Sequence, residues 1–409
     1  MNEKRLVCQL HPAYLGRSEI FIHRFVNNLA HWQACVLTER IQNAASYKLG
    51  DRYPVIEVGS GSQVGFRMWA KVVRTRRPTT GDYLALHARY SKALAAVKPA
   101  LLHAQFGSTG WFALPLHRLH RLPLVVSFHG YDASALLRQA VWRSRYRELF
   151  GEVHAVTVPS RRMAARLAAT GCPPEKLHLL RYGVDLHEWS FRPPAVTVEK
   201  ETVDVLMVSR LVEKKGVLDA IEAVAAARRI DPRLRLQIAG EGEMMPQITE
   251  CIASRGLQSH VRLLGFVPNA QVRELMRASD LLLTPSRTAA DGDEEGLPNV
   301  LIEAAAAGLP IIATDHAGAG ELIEDGVSGF LVDTGSPHLL AARLIALAEN
   351  AALRQTFAGA ARHKVECEFD LAHSVACLEA IYDDACRART VAHRRMCSMS
   401  VCEKGDRNG

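Results

Sequence analysis

The sequence predicts an α/β protein made of two doubly wound domains, each a parallel sheet with helices on both faces. Short runs rich in Val, Leu and Ile recur along the chain, and stretches with helical spacing lie between most of them. This alternation is typical of parallel sheets, whose strands are buried on both faces. The pattern occurs twice, before and after a polar segment at 191–204 that begins Phe-Arg-Pro-Pro and has the composition of a linker.

The apolar runs give the expected strands. In the first half they are Leu6–Leu10, Ala34–Thr38, Val55–Val58, Leu101–Phe106, Leu124–Phe128 and Ala155–Pro159. Helices are expected between them at Glu19–Ala30, Asp82–Val97 and Ser160–Thr170. In the second half the strands are Val205–Val208, Leu234–Ala239, Val261–Phe266, Leu281–Pro285, Ile311–Thr314 and Phe330–Val332. Because ligands of such sheets bind at the carboxyl ends of the strands, the cleft between the domains is the expected site.

The same patterns set the domain boundaries. We expect a first domain at 1–190, the linker at 191–204 and a second domain at 205–365. A helix at 366–385 is expected to return to the first domain. From 386 to 409 no periodic pattern is visible, which predicts a tail without regular structure.

Composition excludes several classes of protein. The 409 residues are 48% hydrophobic and 23% charged, which is ordinary globular usage and unlike fibrous or disordered chains. No apolar run approaches the roughly 18 to 20 residues of a membrane span, and the start resembles no signal peptide. The nine Cys form no Cys-x-x-Cys pair, which argues against a disulfide framework or a zinc site. We therefore expect a soluble, cytoplasmic protein.

The charge is unevenly distributed. Residues 1–190 hold 26 Lys and Arg against 12 Asp and Glu, whereas the remainder is acidic. Within 66–77, five cations alternate with apolar side chains: Arg67, Lys71, Arg74, Arg76 and Arg77, with Phe66, Trp69, Val72 and Val73. This pattern predicts a helix at an anionic bilayer surface, with an ordinary surface helix as the alternative. Nucleic acid is a weaker interpretation because no RNA-binding signature is visible.

Two familiar phosphate-binding motifs are absent. The first expected strand runs into His11-Pro12-Ala13 rather than into a Gly-x-Gly-x-x-Gly turn, and Gly-x-x-x-x-Gly-Lys-Ser/Thr does not occur. A dinucleotide-dependent dehydrogenase and a P-loop enzyme are therefore disfavoured.

The most informative stretch runs from Thr284 to Pro310. A strand ends there and a helix is expected to begin, because Pro298 suits a first helical turn and Gly308 with Pro310 ends it. The free amides at such a helix start can bind a diphosphate. Glu295 precedes the helix and Glu303 lies inside it, so the two carboxylates are expected to contact different parts of one ligand.

Glu295-Gly296-Leu297-Pro298-Asn299, followed by Glu303-Ala304 and the closing Gly308-Leu309-Pro310, resembles the retaining nucleotide-sugar glycosyltransferases of family 4. The likeness covers nearly all of 1–385. It implies the GT-B fold, in which two Rossmann-like domains face a deep cleft, the first binding the acceptor and the second the nucleotide-sugar donor. It also implies that Glu295 holds hydroxyls of the donor sugar and Glu303 those of the ribose, with Gly296, Leu297, Pro298 and Asn299 in the donor site.

Further donor-site residues follow from the same resemblance. Ser209 to Gly216 is similar to the family's diphosphate clamp, which assigns phosphate contacts to Arg210 and Lys215 and makes Lys214 the less expected partner. Ala239 to Glu243 and Leu264 to Pro268 resemble nucleotide-binding turns. In them Gly242 permits close backbone approach and Phe266 lies along the base, with packing as the alternative for Phe266.

In the first domain, Val126 to Asp132 resembles the family's His-Gly-x-Asp segment. This implies that His129 contacts the donor sugar or the leaving phosphate and that Asp132 supports the acceptor side. His103 lies in a second family-like strand end. Gly16, in a segment similar to exopolysaccharide-making members, is expected near the diphosphate or the acceptor, although a Gly-Gly pair found in relatives is missing.

The loop 288–294 is long and acidic, and it resembles members that build colanic acid or amylovoran. Its Asp291 and Asp293 could suggest a cation site by composition. The resemblance implies instead that no metal or other cofactor is needed, because Arg210, Lys215 and helix amides neutralise the diphosphate.

The implied activity is transfer of a hexosyl unit, with retention, from a nucleotide diphosphate sugar to a glycan acceptor. The sequence leaves the base, sugar and acceptor open. A lipid-linked acceptor in bacterial exopolysaccharide or cell-surface polysaccharide synthesis fits the basic segment, with the protein peripheral on the inner face of the membrane. The alternatives are a GT-B sugar-nucleotide epimerase and a transferase acting on a small soluble acceptor.

Overall fold

The computed structural model describes residues 4–16, 19–44, 52–58, 80–194 and 201–405, and the side chains of all of these except 80–83 and 389–405. The predicted basic segment at 66–77 lies outside the described residues, as do Arg17 and Ser18.

The first domain is built on a seven-stranded parallel sheet. Its order along the sheet is β5-β3-β1-β6-β7-β8-β9. The strands are β1 (Arg5–Leu10), β3 (Trp32–Thr38), β5 (Val55–Glu57), β6 (Leu101–Gln105), β7 (Leu124–Ser127), β8 (Ala155–Val158) and β9 (Leu177–Leu179), and a small parallel pair joins β2 (Ala13–Tyr14) to β4 (Arg40–Ile41). All six strands predicted from the apolar runs are present; β9 and the small pair are additional.

Helices cover this sheet. They are α1 (Ile20–Asn27), α2 (Thr80–Val97), α3 (Gly107–His120), α4 (Ala140–Glu152) and α5 (Arg161–Ala169). In the central strand β1, Val7, Cys8 and Leu10 are fully buried, as expected for a strand covered on both faces. Because helices cover both faces of the sheet, a ligand can approach it at the carboxyl ends of the central strands.

The second domain repeats this plan with a six-stranded parallel sheet of order β12-β11-β10-β13-β14-β15. The strands are β10 (Val203–Val208), β11 (Leu234–Ala239), β12 (Val261–Gly265), β13 (Leu281–Thr284), β14 (Ile311–Thr314) and β15 (Phe330–Val332). Its helices are α6 (Val217–Ala227), α7 (Met245–Ser254), α8 (Asn269–Ala278), α9 (Asn299–Ala307), α10 (Ala319–Leu322) and α11 (Pro337–Glu349). The prediction of two doubly wound parallel-sheet domains is confirmed.

Two last helices lead the chain back to the first domain. Helix α12 (Ala351–Glu368) is followed by α13 (Leu371–Gly405). Between them, a parallel bridge joins Asp370 to Val184. In α13, the Glu379 carboxylate accepts hydrogen bonds from the amides of His31 and Trp32 at 2.7 and 2.9 Å. The start of α13 thus packs against β3 of the first domain.

Helix α13 also differs from the sequence prediction. It continues to Gly405, across most of the segment 386–409 for which no regular structure is predicted. Between 386 and 404 there is neither Pro nor Gly, and Ala, Arg, Met, Glu and Lys are good helix formers. Within the described ranges, no helix combines the length and the hydropathy needed to cross a membrane.

Candidate active site

A cleft of about 930 Å³ separates the two sheets at the carboxyl ends of their strands. Both domains contribute to its walls. The first domain supplies Gly16, Glu19, Phe106, His129, Gly130, Tyr131 and Tyr182 among others, and the second supplies Arg210, Lys214, Lys215, Asp293, residues 295–300 and Glu303. Most of the residues assigned to the site from sequence therefore line one cavity.

Helix α9 begins at this cleft. Pro298 is its N-cap, with φ −64° and ψ 118°, and Gly308 ends it in the left-handed conformation with φ 87°. The predicted helix is confirmed, with Pro298 one position before the first turn rather than inside it. The first residues of α9, Asn299 and Val300, line the cavity. Their amides and the positive end of the helix dipole offer a site for an anionic group.

Two lysines bracket Glu295. Lys215 Nζ lies 2.9 Å from Oε2 and Lys214 Nζ lies 3.1 Å from Oε1, and all three side chains are largely buried. Burial opposes ionisation of the carboxyl, but attraction by Lys215 and Lys214 outweighs it and lowers the pKa of Glu295 to about 2. Glu295 is therefore an anion at neutral pH, held at a cationic wall.

Lys214 has a second carboxylate partner. Its Nζ lies 2.9 Å from Asp293 Oδ2, so Asp293 faces a lysine. Burial raises the pKa of Asp293, although Lys214 acts in the opposite direction. Lys214, at 7% side-chain exposure, thus lines the cleft together with Lys215, and which of the two contacts a phosphate stays a prediction.

Glu303 contacts the opposite domain. Its Oε1 accepts a hydrogen bond of 2.6 Å from Arg24 Nη2, and both side chains are about seven-eighths buried. Arg24 lies on α1 and Glu303 on α9, so this ion pair crosses the cleft. Arg210 lines the same cavity and is exposed within it.

Glycines bring two loops into direct contact across the domain boundary. A Cβ on Gly296 would lie 2.2 Å from the carbonyl oxygen of His129, and one on Gly130 would lie 2.9 Å from the carbonyl oxygen of Glu294. The Glu294 side chain accepts a hydrogen bond from Arg166 over 2.5 Å, and its amide donates to Ser134 Oγ at 3.1 Å. The loop after β7 that carries His129 (the His129 loop) and the loop before α9 that carries Glu295 (the Glu295 loop) are thus in direct contact.

His129 lies after β7 with both ring nitrogens engaged. Nδ1 is 2.8 Å from Tyr182 Oη, and Nε2 is 2.9 Å from Gln105 Oε1. Burial, with His11 and His103 nearby, holds the pKa of His129 well below its usual value. A neutral imidazole at this position is not a cationic acid at neutral pH, so its contribution is one of contact and hydrogen bonding.

Two predicted site residues do not reach the cleft. Asp132 is 2% exposed, and its carboxylate accepts hydrogen bonds from the amides of Gly107, His129 and Gly130. It holds the backbone of the segment that carries His129, and its support of the acceptor side stays a prediction. His103 is also 2% exposed and bonds to Tyr382 and Ser127 behind the cleft wall, where burial lowers its pKa to about 3.

The predicted nucleotide turns lie away from the cavity described above. A Cβ on Gly242 would lie 2.2 Å from the Leu211 carbonyl oxygen, so this glycine permits two loops of the protein to pack. Phe266 is 38% exposed, which disfavours the alternative that it serves only core packing. Its contact with a base stays a prediction. Gly16 lines the cavity, close to the Glu19 carboxylate.

Sequence reasoning missed several residues of the site. Arg24 has no motif around it, and its role depends on a contact with a residue of the other domain. The buried region around His129 also contains hydrogen bonds of Tyr182 and Gln105 to His129 and of Tyr382 to His103. A polar Gln at the buried end of strand β6, two residues after His103, is an available signal for Gln105; the other two show none.

Two models of protein families match this chain, one in each domain. The first domain matches the model described as Glycosyltransferase Family 4 over residues 48–188, and the model described as Glycosyl transferases group 1 matches residues 191–364. The boundary between the two matches falls where the linker begins.

Similar proteins agree with these matches. The chain is 36% identical over 267 residues to the amylovoran biosynthesis glycosyltransferase AmsK of Erwinia amylovora, covering 65% of each chain. It is 35% identical over 283 residues to the putative colanic acid biosynthesis glycosyltransferase WcaL of Escherichia coli K12, covering 69% of each. The chain thus matches about two thirds of the length of these relatives.

A solved structure matches the fold more completely. The crystal structure of Anabaena HepE in complex with UDP and glucose superposes with a TM-score of 0.74 at 21% identity, covering 93% of this chain and 99% of that one. The two facing sheets, the cleft with its Glu295 to Glu303 segment, and both family matches lead to one conclusion. This chain belongs to the family 4 glycosyltransferases and has their GT-B fold.

Proposed function

We propose that this protein transfers a hexosyl unit from a nucleotide diphosphate sugar to a hydroxyl of a glycan acceptor, with retention of configuration. The observation that carries the proposal is the cluster of Glu295, Lys214 and Lys215 at the start of α9, facing His129 across the cleft. The two lysines thus lie opposite the neutral ring of His129, which would suit a substrate with one anionic end and one sugar end.

The diphosphate of the donor would bind at the cationic wall. Lys215 and Arg210 line it, and the first amides of α9 point to the same space. Negative charge grows on the departing phosphate during transfer, so fixed cations at this position lower the barrier. Because these groups come from the protein itself, we expect transfer to proceed without a metal ion.

The carboxylates would bind hydroxyls of the donor. Glu295 is ionised, so its carboxylate can only accept hydrogen bonds, which suits sugar hydroxyls. Glu303 lies inside α9, where ribose hydroxyls would bind. In the structure these carboxylates are paired with Lys215 and Arg24. Donor binding would therefore exchange part of each ion pair for hydrogen bonds to the ligand.

The transfer itself would use the donor's own phosphate as the base. The bond between the anomeric carbon and the phosphate oxygen breaks, and the acceptor oxygen attacks on the same face. The acceptor proton passes to the departing phosphate oxygen. Because the acceptor oxygen attacks directly, this step uses no carboxylate nucleophile, and Glu295 is paired with two lysines in the structure. His129 would contact the sugar end as a neutral ring.

The proposed acceptor is a saccharide, lipid-linked, in bacterial exopolysaccharide or cell-surface polysaccharide synthesis. Similarity to AmsK and WcaL supports the polysaccharide, and the excess of Lys and Arg in residues 1–190 supports a cytoplasmic protein bound at an anionic membrane surface. Binding to vesicles with and without anionic lipid tests the membrane part.

One experiment tests the reaction. The protein is incubated with UDP, GDP and ADP sugars, and with lipid-linked or soluble glycan acceptors. Release of nucleoside diphosphate is followed, and the anomeric configuration of the product is read by proton NMR. We expect release that requires acceptor, and a product with the donor's configuration. An inverted product would contradict retention, and a changed sugar nucleotide without acceptor would favour the epimerase.

A further inference from the structure

A continuous chain of hydrogen bonds leads from the cleft to Tyr382 of helix α13 and from there back into the first sheet. Starting at Tyr182, it passes through His129, Gln105, Gln9, Tyr382, His103 and Ser127 and ends at Thr157. Each link is between 2.5 and 3.0 Å long. The chain crosses the strands β1, β6, β7 and β8, so it runs through the middle of the first sheet.

Chemistry fixes the direction of the links at the cleft. Gln105 Oε1 can only accept, so His129 Nε2 must carry a hydrogen and donate it. With the ring neutral, Nδ1 has no hydrogen and accepts from the Tyr182 hydroxyl. The other end of the Gln105 amide, Nε2, donates to Gln9 Oε1 at 2.9 Å.

The donors and acceptors beyond Gln9 can be assigned in the same way. Gln9 Nε2 donates to Tyr382 Oη at 3.0 Å, so the Tyr382 hydrogen is free to go to His103 Nδ1 at 2.7 Å. Burial keeps His103 neutral by lowering its pKa to about 3, and its Nε2 then donates to Ser127 Oγ. From Tyr182 to Tyr382 each group thus donates in one direction, and His103, Ser127 and Thr157 are placed so that they can continue it.

Burial makes this arrangement costly to disturb. Tyr382 is fully buried, Gln9 is 1% exposed and Gln105 is 5% exposed. Water does not replace a partner that is removed from such a position, and the remaining group is then left unsatisfied. Replacing one member should therefore disturb its neighbours along the chain.

We propose that Gln105 and Tyr382 are positioning residues that hold the His129 ring in one tautomer, with the proton on Nε2, and in one orientation at the cleft. The catalytic significance of this inference rests on the proposed function, in which His129 contacts the donor sugar. Tyr382 lies on α13, after the whole second domain, so the last helix of the fold completes a site residue of the first domain.

The test compares Gln105→Leu, which removes the acceptor, with Gln105→Glu, which keeps one. Nitrogen-15 NMR of histidine-labelled protein, with His129→Gln to assign the signals, reports the tautomer without any need for activity. We expect Nε2–H in the wild type and a mixed or changed tautomer in Gln105→Leu. We also expect kcat to fall at least about tenfold in Gln105→Leu at a nearly constant donor KM, and to recover to within about threefold in Gln105→Glu.

Tyr382→Phe removes one hydroxyl at the far end and provides a second test if Gln105→Leu does not fold. We expect it to shift the NMR signals of both His103 and His129. Tyr90→Phe, a change at another buried tyrosine of the first domain that lies outside the chain, is the matched control and should leave the His129 signals unchanged.

The NMR result decides the inference even if no transfer is detected. A wild-type His129 that is cationic or protonated on Nδ1 at neutral pH would overturn it, as would unchanged His129 signals in both Gln105→Leu and Tyr382→Phe. A protein with the expected tautomer and no transfer with any donor would contradict the proposed function and leave the positioning chain standing.

Discussion

Arg24 on α1 and Glu303 on α9 form an ion pair across the cleft, with Nη2 and Oε1 2.6 Å apart and a separation of 279 positions in the sequence. The pair joins the two domains at the residue proposed to bind the ribose. Opening of the cleft must break it, so the pair links domain closure to the donor site.

A double-mutant cycle on this pair tests the link. Arg24→Ala and Glu303→Ala should each destabilise the protein, and together they should cost less than their sum, with a coupling of roughly 0.5–3 kcal/mol. Urea unfolding of the four proteins measures it. The surface pair Arg277 and Glu274 is a matched control, for which we expect a coupling of at most about 1 kcal/mol. Additive effects at Arg24 and Glu303 would contradict the contact.

The cationic wall predicts a loss of activity. Lys215→Ala should lower kcat/KM at least tenfold, or about 1.4 kcal/mol, because the leaving diphosphate loses a positive charge. Steady-state kinetics with the best donor measure it. Lys364→Ala, on α12 and outside the cleft, where Lys364 pairs with Glu368, should change kcat/KM little. Equal activity of folded Lys215→Ala and wild type would remove Lys215 from the diphosphate site.

The ion pairs of Glu295 predict a pH dependence of stability. Its pKa is about 2 in the folded protein against an ordinary 4.5, so its contribution is complete above pH 4.5 and is lost as the pH falls towards 2. This contribution is on the order of 3 kcal/mol. Urea unfolding from pH 7 to pH 2 should therefore show a shallower acid loss for Glu295→Gln than for wild type.

The exposed Glu250→Gln, on helix α7, is the control for that series and should reproduce the wild-type acid profile. Parallel profiles for wild type and Glu295→Gln across the whole pH range would show that the two lysines do not stabilise the Glu295 carboxylate.

The contact between the two loops predicts a strict need for glycine. A Cβ at Gly296 would lie 2.2 Å from the His129 carbonyl oxygen, so Gly296→Ala must push the loops apart. We expect a loss of about 1–3 kcal/mol in the free energy of unfolding and weaker donor binding. Gly359→Ala, on helix α12 with open space around it, should keep or raise stability. Full stability and affinity in Gly296→Ala would mean the loops separate at no cost.

Much of the fold follows from local pattern. A strand run such as Ile311–Thr314 is observed where the sequence predicts it, because a strand buried on both faces is almost wholly apolar. Edge strand β9, with only three residues and partial exposure, carries too weak a signal. The end of α13 also differs from the prediction, because a segment without a periodic apolar pattern resembles a tail in sequence.

The site is predictable where backbone geometry determines the residue. Gly296 and the helix start at Asn299 follow from the motif, since the loop contact needs glycine and the helix needs a cap. The burial of Asp132 and His103 could not be predicted, because a strand end shows which edge a residue occupies and leaves open which way its side chain points. Arg24 depends on domain packing, which no local pattern encodes.

The central claim is that this cleft binds a nucleotide diphosphate sugar at Lys215 and Glu303. Its most direct test is thermal unfolding of wild type, Lys215→Ala and Glu303→Ala with UDP, GDP, ADP and their sugars, in the presence of a chelator. We predict that one base stabilises the wild type, by about 2.7 kcal/mol at a hundredfold excess over Kd, and that both variants lose most of this gain. No stabilisation of the folded wild type by any of these ligands at millimolar concentration, or equal stabilisation of all three proteins, would contradict the account.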